Sequence, residues 1–280
     1  MRIKVALKLK RLPILYRHRF IALTKEALKS ADENYKDSLY PDRTAVQSKK
    51  TKPFTFSVFI PPGFTKKKEK FFIDENLQIE DTVLYPSDGQ EISLFISSSD
   101  YQFIINLYNG LLKIDSFKMT DFINDDGTKE EVQLQVGRVF LLNEKRISEP
   151  VARFKTLSPI SVEDERDRPI DIFAKDGKTI NNDELARFTE HLNAIQDRRL
   201  KDLRGYSLKR PIKFIPIDLK RKGIKHTLKG FREQTGKPYM VLTTYQGTFC
   251  LEGDPEDLQF IYLSGLGLRT GQGFGMVDLV

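Results

Sequence analysis

Hydrophobic and polar residues alternate along the first ten positions. Arg2, Lys4, Lys8 and Lys10 fall on one side of the pattern, and Ile3, Val5, Leu7 and Leu9 on the other. A period of two predicts a strand over 1–10. After Leu12-Pro13-Ile14-Leu15-Tyr16 the period lengthens. Phe20, Ile21, Leu23, Ala27 and Leu28 approximate helical spacing over 17–31. A polar stretch follows over 32–53, with Tyr35, Tyr40 and the basic run Lys49, Lys50, Lys52. Positions 54–60 are aromatic and β-branched, hence a strand, broken by Pro61-Pro62-Gly63. Lys66, Lys67 and Lys68 read as an exposed hairpin tip. Further strands are expected at 71–73 and 92–97. Asp100 is placed to cap a helix over 101–114, with Phe103, Ile104, Leu107, Leu111 and Leu112 as its inner face. Strands at 117–122 and 132–142 complete the order β-α-β-β-α-β, the ferredoxin-like arrangement.

The second half repeats that order without repeating the sequence. A strand is expected over 151–162, then an acidic and basic linker. A long helix follows over 184–203, with Leu185, Phe188, Leu192, Ile195 and Leu200 inward. Positions 212–219 and 223–231 read as paired strands joined by a turn at Lys220-Arg221-Lys222-Gly223. Strands at 239–244 and 247–252, a short helix over 255–263 and a last strand over 276–280 close the unit. The fold class is α+β, with tandem ferredoxin-like (RRM-like) domains at 1–148 and 149–280.

Between the short helix and the last strand lies G-L-G-L-R-T-G-Q-G-F-G, with five glycines in eleven positions. Such a stretch is a tight loop. Its backbone N–H groups beside Arg269 suit the phosphates of a polyanion, and the alternative is an ordinary turn. A dinucleotide fingerprint would need its glycines between a first strand and a helix, and a Walker loop needs Gly-Lys-Ser/Thr. Neither fits.

Charge adds to this picture. The formal net charge is +7 and the isoelectric point about 9.2, which favours an acidic partner. Lys220, Arg221, Lys222, Lys225, Lys229 and Arg232 crowd one segment, either a phosphate-binding surface or a solvated hairpin. No apolar run approaches the ~18 residues of a spanning helix, and the N-terminus is not built like a signal peptide. One cysteine, Cys250, precludes an intramolecular disulfide, and three histidines make a Cys/His zinc site improbable. A cytoplasmic protein without metal, cofactor or membrane contact is expected. No aromatic pattern of sheet-face RNA readers is evident, so binding is expected in a cleft or along the glycine loop.

The C-terminal G-L-G, five residues, then G-F-G resembles the signature of the CRISPR-associated repeat-RNA endoribonucleases, the Cas six family. L-P-I-L-Y-R-H, F-T-F-S-V-F, R-F-K-T-L-S-P-I, I-K-H-T and G-T-F-C-L-E-G-D are similar to that family in the same order. The resemblance implies that the chain binds CRISPR repeat RNA and cuts it without metal. In that chemistry the ribose 2′-OH attacks the neighbouring phosphate, leaving a cyclic phosphate and a 5′-OH. It also implies a site after the first helix. Lys52 matches the family's lysine. Tyr40 stands where many members have histidine, and Lys25 stands near the position of a helical tyrosine. His18 is read either as the substitute base, since imidazole titrates near neutrality, or as a residue packing the start of the helix. Tyr40 is a poor base with a pKa near 10. RNA contacts are expected from Lys220, Arg221, Lys222, Lys225, His226, Arg269 and the loop glycines Gly265, Gly267, Gly271, Gly273 and Gly275. An effector complex and a second copy of the chain are admitted as further partners. The alternatives are a non-catalytic repeat-RNA binder of the same fold, or a structural subunit whose loop docks a protein.

Overall fold

The computed structural model describes residues 1–41, 50–87 and 89–280; Lys49 of the basic run lies outside them. The first half runs β1 (Arg2–Lys8), β2 (Leu12–Pro13), α1 (Arg17–Ala31), α2 (Glu33–Leu39), β3 (Phe54–Phe59) and β4 (Thr65–Phe72). It continues through β5 (Gln78–Tyr85), β6 (Ile92–Ser98), α3 (Tyr101–Leu111), β7 (Ser116–Ile123) and β8 (Lys129–Leu142). These strands form one sheet in the order β2-β5-β4-β7-β8-β1-β6-β3. The run β8-β1-β6-β3 is the ferredoxin-like sheet, and β4, β5 and β7 extend it.

Alternation decides which face is covered. Ile3, Val5, Leu7, Phe54, Phe56, Leu94 and Ile96 are at most 2% exposed and share the core with α1 and α3. Each buried side chain of this size contributes roughly 1.5–3 kcal/mol. Gly110, an unfavourable residue inside a helix, lets α3 approach α1 closely. A Cβ there would lie 1.8 Å from the Ala27 carbonyl oxygen. Asp100 caps α3 as expected, accepting the Phe103 N–H at 3.2 Å. Leu112 does not join the inner face and is 60% exposed, because the helix ends at Leu111.

The second half runs β9 (Val151–Thr156), α4 (Asn182–Arg204), β10 (Lys213–His226), α5 (Lys229–Thr235), β11 (Met240–Glu252), α6 (Pro255–Ser264) and β12 (Val277–Leu279). Its sheet order, β10-β11-β9-β12, is again ferredoxin-like. The fold is thus the tandem arrangement expected. Within it, the Lys220–Gly223 turn is overturned. Residues 213–226 are one strand, paired with β11 from Lys213↔Glu252 to His226↔Met240. A tight hairpin turn needs positive φ, and Gly223 is not among the positive-φ glycines. The reversal occurs at α5 instead, and Lys66 to Lys68 lie inside β4 rather than at a tip. Among the described residues, no helix is long and apolar enough to cross a membrane.

The two sheets meet along β3 and β1. Arg2 is 4% exposed and donates to Asp278 Oδ1 at 3.0 Å and to the Val277 carbonyl at 2.8 Å. Its guanidinium lies 4.4 Å from the Tyr262 ring centroid. At the other end, Lys225 reaches Asp81 at 2.5 Å and Arg232 reaches Asp74 at 2.6 Å. Both pairs join the β10–β11 hairpin to the extension of the first sheet.

Candidate functional site

Three of the four expected catalytic residues come together from different elements. Lys25 is on the exposed side of α1. Tyr40 ends α2, its N–H bonded to the Lys36 carbonyl at 2.8 Å; Pro41 behind it disfavours another helical turn. Lys52 immediately precedes Pro53 and β3. The ammonium groups of Lys25 and Lys52 each lie 4.5 Å from the centroid of the Tyr40 ring. Lys52 Nζ donates to the Leu39 carbonyl at 2.5 Å and the Lys50 carbonyl at 3.2 Å. Burial, followed by repulsion from Lys25 and Lys50, lowers its pKa to about 8. The Tyr40 hydroxyl is buried with no hydrogen bond to a described residue. Burial pushes its pKa up, which removes it further from any role as a base.

His18 stands apart from this group. It lies seven residues before Lys25 on α1, about 10 Å along the helix axis. Its Nε2–H donates to the Ile73 carbonyl at 3.2 Å. Burial, then the nearby Arg19, lowers its pKa to about 4. His226 is 1% exposed. It donates to Gln272 Oε1 at 2.9 Å and sits edge-on to Phe274. Burial lowers its pKa to about 3. Both imidazoles are therefore neutral at neutral pH.

The glycine loop is also placed differently from its expected role. Gly265, Gly267, Gly271, Gly273 and Gly275 are all buried. A Cβ on Gly271 would meet the Lys52 side chain at 2.8 Å, one on Gly273 the Phe56 ring at 2.7 Å, and one on Gly275 the Leu266 carbonyl oxygen at 2.1 Å. The N–H groups of Leu266, Leu268, Gly273 and Gly275 bond to the carbonyls of Gly275, Ser161, Thr270 and Pro159. Thr55 and Arg17 of the first half donate to the carbonyls of Phe274 and Gly273. The loop is a wedge between the halves, with these amides already bonded, and not an open phosphate cradle. Arg269 is held by three contacts of 3.0–3.2 Å to Glu163, which is 5% exposed.

The basic residues of β10 divide by face. Arg221 pairs with Asp171, and Lys225 is tied to Asp81. Lys220 and Lys222 are exposed; they oppose Gln246 and Thr244 on β11. Arg153 and Lys155 of β9, exposed as well, oppose Cys250 and Thr248 on β11. All four cations thus share the sheet face opposite Phe214, Tyr245 and Phe249, which pack together with Phe188 of α4. The alternation in V-A-R-F-K-T carried the signal for Arg153 and Lys155. Where this face meets the first half there is a cavity of about 190 Å³. Tyr16, Arg17, Ser57, Ser158, Ile224 and Gln246 are among its lining residues. Among the described residues, no three His, Cys, Asp or Glu side chains are grouped to hold a metal.

Comparison with known proteins bears on this geometry. Residues 142–279 match the family described as CRISPR associated protein Cas6, C-terminal. The C-terminal half is a Cas6 C-terminal domain. Solved structures extend the likeness in fold to the whole chain. One, described as "An RAMP protein binding different RNA substrates", is 21% identical with a TM-score of 0.69, covering 100% of this chain and 99% of that one. A Cas6-related protein from Pyrococcus furiosus is 23% identical with a TM-score of 0.67, covering 100% and 98%. A third, described as CRISPR associated protein Cas6, is 20% identical with a TM-score of 0.62, covering 100% and 99%. No curated protein matches the chain. In this Cas6 C-terminal domain the glycine signature is spent on packing, and the exposed cations lie on the sheet.

Proposed function

We propose that the chain binds CRISPR repeat RNA and cleaves it by internal attack of a ribose 2′-OH. The observation that carries this reading is the Lys25–Tyr40–Lys52 cluster, in which the half-buried Lys52 has a pKa lowered to about 8. The family match and the RNA-binding relative described above support the substrate class. Residues 1–148 supply cleavage, and residues 149–280 supply the exposed Arg153, Lys155, Lys220 and Lys222 for phosphates.

The steps follow from the groups present. About one Lys52 in ten is neutral at pH 7 when the pKa is near 8. Neutral Lys52 takes the proton of the 2′-OH as that oxygen attacks the adjacent phosphorus. The ammonium of Lys25 faces the developing phosphorane charge. The P–O5′ bond then breaks, and the leaving oxygen takes a proton from an ammonium group of the pair. The products are a 2′,3′-cyclic phosphate and a 5′-OH, and each proton moves between groups of the chain and the RNA. Tyr40 holds the two ammonium groups over its ring.

The test is incubation of the purified chain with repeat RNA in EDTA. Cyclic-phosphate ends that vanish in Lys52→Met and with a 2′-deoxy cut site support cleavage. Cleavage of the 2′-deoxy RNA refutes internal attack. A second reading, retention without cutting, is favoured by the engagement of His18 and His226 elsewhere. Tight binding with intact RNA after prolonged incubation would establish it.

A further inference from the structure

On the face of the first sheet opposite α1 and α3, beside the contact with the second half, lie aromatic rings that the chemistry above does not use. Lys4 of β1 opposes Phe95 of β6 on one side and Phe140 of β8 on the other. Phe95 opposes Ser57 of β3, and Phe59 lies two residues further along β3, opposite Ser93. Helices α1 and α3 cover the other face; on this one the second half buries Arg2, Thr55 and Ser97, and the rings lie beside that contact. Phe59 is 51% exposed and Phe140 is 41% exposed; Phe95 is half-buried. Neighbouring strands are spaced about 4.8 Å apart, so the rings of β6 and β8 stand about 10 Å apart across β1.

Cations accompany the rings. Lys4 Nζ is 5.9 Å and the Arg138 guanidinium 6.0 Å from the Phe140 centroid. Arg138 lies two residues before Phe140 and so shares its side of the strand; β8 bulges where it passes Ala6, and Gly137 lets the strands close, a Cβ there lying 3.0 Å from the Ala6 carbonyl oxygen. Two carboxylates at the border are neutralised, Glu91 by Lys8 at 3.6 Å and Asp278 by Arg2 at 3.0 Å. Ser57, beside Phe95, donates to the Leu157 carbonyl at 2.5 Å and lines the cavity that Gln246 also lines. Gln246 opposes Lys220. The aromatic face is therefore continuous with the basic face of the second sheet.

We propose that Phe95, Phe140 and Phe59 form a base-stacking platform for single-stranded RNA whose phosphates run from Lys155, Lys220 and Lys222 toward Lys4 and Arg138. Bases stack on exposed rings with little regard to sequence, and flanking cations hold the backbone. The proposal deepens the repeat-RNA reading and rests on it. The rings escaped the sequence pattern because each sits alone on its strand, and only the sheet brings them together.

The experiment uses the full chain and single-stranded repeat RNA carrying 2-aminopurine, with affinity measured across a salt series. The wild type should quench the fluorophore. Phe140→Ala, Phe59→Ala and the volume-sparing Phe95→Leu should each weaken binding by about 5- to 100-fold where a base is stacked. Quenching should be relieved and the salt slope unchanged. Lys4→Ala should lower the slope by about one. Wild-type affinity and quenching in all three aromatic variants, alongside lost binding in Lys155→Glu/Lys222→Glu, would remove the platform and leave the RNA reading standing. No binding by the wild type would remove both. Unchanged RNA affinity with an altered oligomeric state in Phe140→Ala would make the face a protein interface and overturn the proposal.

Discussion

Replacing Gly275 with alanine separates the two roles open to the glycine loop. Gly275 has φ +70°, and an added Cβ would sit 2.1 Å from the Leu266 carbonyl oxygen. That group is backbone and cannot rotate aside. The left-handed conformation costs a non-glycine residue ~1–2 kcal/mol. Relieving the clash must also pull apart two backbone bonds, Leu266 N–H to Gly275 O at 2.9 Å and Gly275 N–H to Pro159 O at 2.8 Å. A buried group left unpaired costs ~1–3 kcal/mol. Strain and one unpaired group for each bond sum to roughly 3–8 kcal/mol, at least about 6 °C in the thermal midpoint of a chain this long. Gly236 is the control. It has φ +67° with nothing within 4 Å of an added Cβ, so Gly236→Ala should lose only about 1 kcal/mol. Far-UV circular dichroism melts of the two variants give the comparison. Equal losses would refute the packing argument. A stable Gly275→Ala with weakened RNA binding and a shallower salt slope would restore the phosphate cradle.

Other outcomes are expected from the same geometry. Arg269→Ala leaves Glu163 buried without its partner and should cost about 2–4 kcal/mol in urea unfolding, with the RNA salt slope unchanged; a slope reduced by one would make Arg269 a phosphate contact. His18 and His226 are held neutral by burial, with pKa values of about 4 and about 3. The unfolded chain takes up those protons near pH ~6.5, so their contribution is whole above that pH. It is lost as the pH falls toward ~4, by a few kcal/mol in all. A His18→Gln/His226→Gln variant with the same fall in urea midpoint between pH 7 and 4.5 would contradict this. Cleavage, if Lys52 is the base, should rise about tenfold per pH unit and level off above ~8 in single-turnover assays. A flat profile would exclude it.

The parts legible in the sequence were those whose signal is local. Helix α1 spans Arg17–Ala31, as its apolar spacing predicts, and Asp100 announces α3. The ferredoxin-like order follows from these and the alternating strands. Helix α2 was hidden in a polar segment whose one local cue is Asp32, which accepts the Tyr35 N–H at 2.9 Å. Strand β5 carries Glu80 and Asp81 among its apolar residues. Asp81 makes sense only when Lys68 of β4 and Lys225, 144 positions away, are placed on it at 3.3 and 2.5 Å. The Lys25–Tyr40–Lys52 grouping was reached through resemblance and is assembled by three elements. The partners of His18 and Arg269 could not be read from the sequence, because Ile73 and Glu163 are brought to them only by tertiary packing.

The seam between β3 and the Gly265–Gly275 loop has a consequence for biogenesis. Thr55 finds its acceptor at Phe274, 219 positions later. A ribosome adding 5–20 residues per second needs roughly 10–45 s to supply that partner. Throughout that interval the nascent first unit presents an unprotected strand margin bearing Phe56 and Phe59, an invitation to self-association. Slow elongation or a stall in the second gene half should therefore increase the insoluble fraction more than equivalent delays in the first.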